Sequence, residues 1–180
     1  RMGYSRELCY ELFLQDGSKG NDLWELLWEA GQEFKISAGG PNIILRLEGG
    51  ILSYLADIDR SNNPYEVGLD WLVDLEQEDD FIGKEALRLV CQNGPTKKLM
   101  GAEIHGDPIE DSNADHWPVF INGKKVGSMN AMVYSPRLDK NICYTILDIE
   151  HAKSGQEIVI AAPEKDLMAT TVDLPWRERA

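Results

Sequence analysis

The dipeptide Asn122-Gly123, set between Val119-Phe120-Ile121 and Lys124-Lys125-Val126, constrains the fold of this chain more than any other feature. A two-residue type I′ connection requires positive φ at both central positions, and Asn followed by Gly meets that requirement with little strain. The flanking apolar runs therefore read as two antiparallel strands. Further short strands separated by turn signals follow from Lys98 onward, over 99–104, 119–121, 124–129, 142–149, 157–160 and 167–172. Strands this short and this closely spaced build a small barrel or sandwich.

Upstream the pattern is mixed. Period-two alternation over 9–14 predicts a strand with Tyr10, Leu12 and Leu14 on one face and Cys9, Glu11 and Phe13 on the other. Asp22, with Glu25 three residues on, has capping-box spacing for a helix. The apolar stripe of that helix is Leu23, Leu26, Leu27 and Ala30, with Trp24 and Trp28 beside it as packing residues and Gly31 as its stop. Pro41 opens a second short helix over 41–49, ended by Gly49-Gly50. Residues 66–75 read as a strand, 76–80 as an acidic loop, and 84–91 as a helix closed by Asn93-Gly94-Pro95. The change in character near 92–98 sets the expected division: an α+β segment over 1–92 and a β-barrel over 93–180.

Composition excludes some classes of function. The 180 residues carry a formal net charge of −13, which repels nucleic-acid backbones and anionic membranes. No apolar run is long enough to span a bilayer, and no secretory leader is visible. Cys9, Cys91 and Cys143 are scattered and odd in number, the usage of reduced thiols in a cytoplasmic protein. His105, His116 and His151 have no zinc-type spacing. Asp57, Asp59, Ser61 and Asn63 mimic the start of a calcium loop, but Asn62 stands where glycine is needed and Gly68 where the bidentate Glu is needed, so a metal site is not expected. Phosphate-binding glycine loops and a nucleophile elbow are absent.

Glu11 is the candidate binding residue. A carboxylate on a half-buried face needs partners, and a planar ligand with adjacent N–H donors suits it. On an edge strand it would simply point to solvent. Periodicity leaves both readings open.

Several segments together resemble one family. Gly3-Tyr4-Ser5-Arg6-Glu7-Leu8-Cys9-Tyr10-Glu11-Leu12 is similar to a segment of the glycine cleavage T-protein (folate-dependent aminomethyltransferase) superfamily, with Arg6 and Cys9 replacing two family glycines. The stretch 61–87, from Ser61-Asn62-Asn63-Pro64 to Phe81-Ile82-Gly83-Lys84, resembles that superfamily's link into a C-terminal barrel. Residues 119–127 and 131–136 resemble the barrel itself. The run 38–54, with Pro41-Asn42 and Glu48-Gly49-Gly50, looks like the dimethylsulfoniopropionate demethylase branch, because aminomethyltransferases carry an arginine where Asn42 stands.

The resemblance covers the C-terminal half of a family member. It implies tetrahydrofolate as cofactor, Glu11 as the pterin-binding carboxylate and Tyr4 as an aromatic lining the folate site. It also implies a small-molecule methyl donor, methyl transfer from a sulfonium to tetrahydrofolate, and either an N-terminal half or a second copy as protein partner. The substrate-facing residues would lie mostly in that other half, so the catalytic residues stay unknown and activity of the chain alone stays open. An amine-directed aminomethyltransferase and a non-catalytic folate-fold module are the alternative readings.

Overall fold

The computed structural model describes residues 8–112 and 115–176. The chain forms two compact units, Arg1–Asn42 and Ile43–Ala180. The expected boundary near 92–98 therefore lies inside the second unit, between its last helix and the first barrel strand.

In the first unit, the Asp16 carboxylate accepts a hydrogen bond from Ser18 N at 3.1 Å and closes a 3-10 turn over Gly17–Lys19. That turn runs directly into helix α1, Gly20–Gly31. Asp22 is thus a first-turn residue placed favourably for the helix dipole, not the cap that its spacing predicts. A second 3-10 turn, Gln32–Phe34, follows and ends at Lys35, which is left-handed with φ of 58°. Gly31 is the last helical residue rather than the stop. A Cβ there would lie 2.7 Å from the Ile36 side chain folded back over it.

The predicted strand over 9–14 does not form. Its backbone enters no ladder, and all its side chains except Cys9 are exposed. Alternating polarity predisposes a segment to extend, but a strand exists only when a neighbour takes its hydrogen bonds. Among the described residues every named ladder belongs to the barrel.

The second unit opens with helix α2, Ile43–Glu48. The expected strand over 66–75 is also absent. Leu69 N donates to Pro64 O at 2.9 Å and Leu72 N to Leu69 O at 3.0 Å, while Gly68 takes φ of 71°. Hydrogen bonds spent locally in these turns leave no ladder to build, and Asp70–Leu72 is a 3-10 turn. Helix α3, Lys84–Asn93, ends at Gly94 with φ of 80°. The Lys84 ammonium donates to Gln77 O at 2.8 Å and ties down the acidic loop before it.

Six antiparallel strands then close a barrel in the order β1-β4-β3-β2-β5-β6. They are β1 Lys97–Ile104, β2 Trp117–Ile121, β3 Lys124–Ser135, β4 Lys140–Asp148, β5 Glu157–Ala161 and β6 Asp166–Val172. All six regions were expected from the sequence, and Asn122-Gly123 makes the predicted tight hairpin with φ of 50° and 77°. Strand β3 runs six residues beyond its expected end. A bulge at Asn130 hides this in the pattern: Met129 and Met132 are three apart, yet both join the interior cluster with Met100, Cys143 and Leu147. An unbroken strand would place them on opposite faces. Outside the barrel wall, Leu47 of α2 packs with Leu99, Val133, Ile142 and Tyr144 in a second cluster.

Candidate functional site

Of the residues singled out by sequence, Tyr4 lies outside the described residues. Glu11 is exposed in an extended, unladdered segment, with Tyr10, Leu12 and Phe13 exposed around it. Its carboxylate makes no ion pair or hydrogen bond among the described residues, so both oxygens are accessible to a ligand's donors. Asn42 closes the first unit and is exposed. In α1 the two tryptophans, at i and i+4, stack with ring centroids 6.0 Å apart and remain exposed together with Leu26 and Leu27. No residue of α1 is buried. Trp24 and Trp28 are therefore not core residues of this unit.

The second unit contains a buried polar network around α2 that sequence reasoning missed. Arg46 and Glu48 are the two charged residues of the otherwise apolar α2. Both are buried, at 3% and 1% exposure. Arg46 pairs with the buried Asp57 carboxylate and also donates to Ile51 O at 3.1 Å. The same Asp57 oxygen accepts from Ser53 N at 2.6 Å. Glu48 accepts from Ser135 Oγ at 2.6 Å. The Tyr144 hydroxyl, fully buried, lies within 3.1–3.3 Å of the carbonyls of Arg46, Leu47 and Ile51. It thereby adds a second donor to carbonyls at and just beyond the helix end, which also accept from Ile51 N, Gly50 N and the Arg46 guanidinium.

This network fixes the Gly49–Asp57 segment to strands β3 and β4. The bulge residue completes the attachment: Asn130 Nδ2 donates to Asp57 O at 2.6 Å. The one sequence cue was the pair of charges inside the otherwise apolar Ile43–Glu48. Their side-chain partners Asp57 and Ser135 lie 11 and 87 positions away, and no local pattern identifies them.

On the barrel exterior, Thr170 Oγ1 donates to Glu157 at 2.7 Å and lies 2.8 Å from His105 Nε2. A hydroxyl that gives its proton to a carboxylate accepts from the ring, which places a proton on Nε2. This exposed chain contains no nucleophile activated by a base. Among the described residues no group of His, Cys, Asp and Glu has the geometry to hold a metal ion.

Comparison with known proteins places these features in a family. The GCVT N-terminal domain model matches residues 1–77, and the glycine cleavage T-protein C-terminal barrel domain matches residues 97–176. The dimethylsulfoniopropionate demethylase DmdA of Ruegeria pomeroyi is 32% identical over 98% of this chain and 48% of its own length. An aminomethyltransferase of a Synechococcus species is 35% identical over 99% of this chain and 47% of its own length. The crystal structure of glycine cleavage system aminomethyltransferase T from Bartonella henselae shares the fold, with a TM-score of 0.67, 22% identity and coverage of 76% of this chain and 38% of that one. The chain spans about half the length of the curated relatives it matches. With both family domains aligned in order along it and the predicted barrel closed, this chain belongs to the glycine cleavage T-protein family of folate-dependent aminomethyltransferases.

Proposed function

We propose that this chain is part of a tetrahydrofolate-dependent one-carbon transferase, and that its transfer is a demethylation of the dimethylsulfoniopropionate type. The observation that carries the folate reading is the Gly3–Leu12 segment ending on Glu11, within the region matched by the GCVT N-terminal domain. The residues fit the group. Glu11 is an exposed carboxylate able to accept two parallel hydrogen bonds from the adjacent N–H donors of a pterin. Tyr4 would pack against the ring. When bound, tetrahydrofolate supplies the nitrogen that receives the one-carbon group. The protein's task is then to hold donor and acceptor in line, and no covalent nucleophile is required. The sulfonium preference rests on Asn42, which stands where the aminomethyltransferase pattern has arginine, and on the demethylase among the relatives. The aminomethyltransferases among them support an amine donor as the second reading.

Residues 1–92 are assigned to the folate-binding domain in this proposal, and the activity to the cytoplasm. No helix among the described residues is long and apolar enough to cross a membrane. The partner is the half of the relatives' length that this chain does not span. It would cover the exposed apolar residues of the first unit, including Leu12, Phe13 and Trp24. Calorimetric titration with tetrahydrofolate tests the cofactor, first on this chain and then on its complex with that half. Saturable binding lost in Glu11→Ala supports the reading, and binding unaffected by the substitution removes Glu11 from the site. If neither sample binds tetrahydrofolate, the non-catalytic module takes its place. Turnover of a sulfonium against an amine donor by the complex then decides the branch.

A further inference from the structure

The second unit contains a cleft of about 430 Å³ where strands β1, β3 and β4 meet the 55–62 segment. Its floor includes the buried Asn130, whose Oδ1 accepts from Ser128 Oγ at 3.2 Å. His116 stands at the rim, with Nε2 2.9 Å from Ala56 O. The wall carries charges of both signs: Lys97 and Lys125 against Asp59 and Asp148. Asp57 also lines the cleft, but Arg46 already neutralises it.

These charges are not closed on one another. Lys97 and Asp148 are direct partners in the β1–β4 register, yet neither joins an ion pair or side-chain hydrogen bond among the described residues. The same holds for Lys125. Asp59 accepts from Ser61 N at 2.7 Å. Its carboxyl is held below the ordinary range chiefly by the Ser61 hydrogen bonds, and further by the nearby charges of Lys97 and His116. In a chain of net charge −13, an acidic wall would be unremarkable. In one concavity two lysines without an ion pair therefore stand beside two carboxylates, with Lys97 close enough for its charge to act on Asp59.

We propose that this cleft binds a small zwitterion of the α-amino acid class, its carboxylate held by Lys97 and Lys125 and its ammonium by Asp148 and Asp59. A simple anion would leave both carboxylates facing it, and a simple cation both lysines. A ligand carrying both charges complements both signs of the wall. The site belongs to the barrel unit alone and does not depend on the folate reading.

Amide chemical shifts of the full chain, titrated with L-alanine and separately with acetate and methylamine, test the proposal. Saturable shifts confined to residues 55–62, 97, 116, 124–130 and 146–148, the lining of the cleft, are expected with L-alanine. Acetate and methylamine should each bind roughly tenfold or more weakly, the loss of one charge-assisted contact. Lys125→Met, at an exposed position, should weaken L-alanine by about the same factor and leave the melting temperature unchanged. Lys97→Met should do likewise. Equal binding of acetate, unaltered affinity in both lysine variants, shifts elsewhere, or no shifts would each overturn it.

Discussion

Replacing Asp57 by Ala tests the buried network directly. Arg46 is 3% exposed, and Asp57 is the carboxylate that balances it. Removing that partner leaves a guanidinium uncompensated in the interior, which costs about 3–5 kcal/mol. The same change deprives Ser53 N of its 2.6 Å acceptor. With a urea m-value of about 2 kcal/mol/M, a loss of about 4 kcal/mol lowers the unfolding midpoint by about 2 M. Hydrogen exchange at Ile142 and Tyr144, both fully buried in β4, reports this unit without interference from the other. The decisive comparison is the double variant Arg46→Met with Asp57→Leu. It removes both charges, and hydrophobic replacement of a buried pair is often neutral, so the remaining loss is that of the Ser53 contact, about 1–3 kcal/mol. A single variant that loses less than about 1 kcal/mol, or a double variant as unstable as Asp57→Ala, would refute the argument that charge burial holds this segment.

Gly127→Ala should destabilise the barrel by about 1–3 kcal/mol, because the new Cβ would lie 2.1 Å from Ile146 O, a backbone atom that cannot rotate away; an unchanged denaturation midpoint would disprove the close approach. Tyr144→Phe keeps the ring packed 5.9 Å from Trp176 but removes the hydroxyl from three carbonyls that each keep another donor, and chemical denaturation should show a loss of about 0.5–1.5 kcal/mol. Burial raises the Cys143 thiol far above its usual range, whereas Cys91 is exposed. Alkylation at pH 8 followed by mass spectrometry should therefore label Cys91 and spare Cys143 until the barrel unfolds. The Glu150 carboxyl is lowered from 4.5, first by its 3.1 Å hydrogen bond from Lys124 and by that lysine's charge. A depressed folded-state value means that this contact stabilises above the unfolded-state value and is lost as pH falls through the folded one. Lys124→Met should move the Glu150 titration midpoint upward in an NMR pH series, and an unmoved midpoint would exclude the pairing.

The barrel strands were legible because their signals are local. Asn122-Gly123 dictates a turn geometry by itself, and the short runs of β1 and β4 between turn signals need only a few neighbours to be read. The strands expected over 9–14 and 66–75 failed for the complementary reason. Their alternation and apolarity describe what a strand would look like, while the ladder that makes one is a property of other segments. At 66–75 the competing local turns, with Leu69 N bonded to Pro64 O, took the hydrogen bonds first. The far half of β3 was missed because it follows a bulge at Asn130, which interrupts the pairing register between Met129 and Ala131.

The candidate site divides in the same way. Glu11 and Asn42 stand out in the sequence because of the short segments around them, and their exposure in the fold is compatible with the roles proposed. Arg46, Glu48, Asp57, Ser135 and Tyr144 have no such context. Each is an ordinary residue in its own segment and becomes a buried partner only when α2 meets β3 and β4. By itself, then, the sequence determined the barrel strands, the tight hairpin and the family, because turn chemistry, alternation and motif are short-range. Only the tertiary structure decided which charges are buried, where the bulge falls, and which lysines and carboxylates share a cleft. Burial and pairing depend on distances between residues that the chain order does not contain.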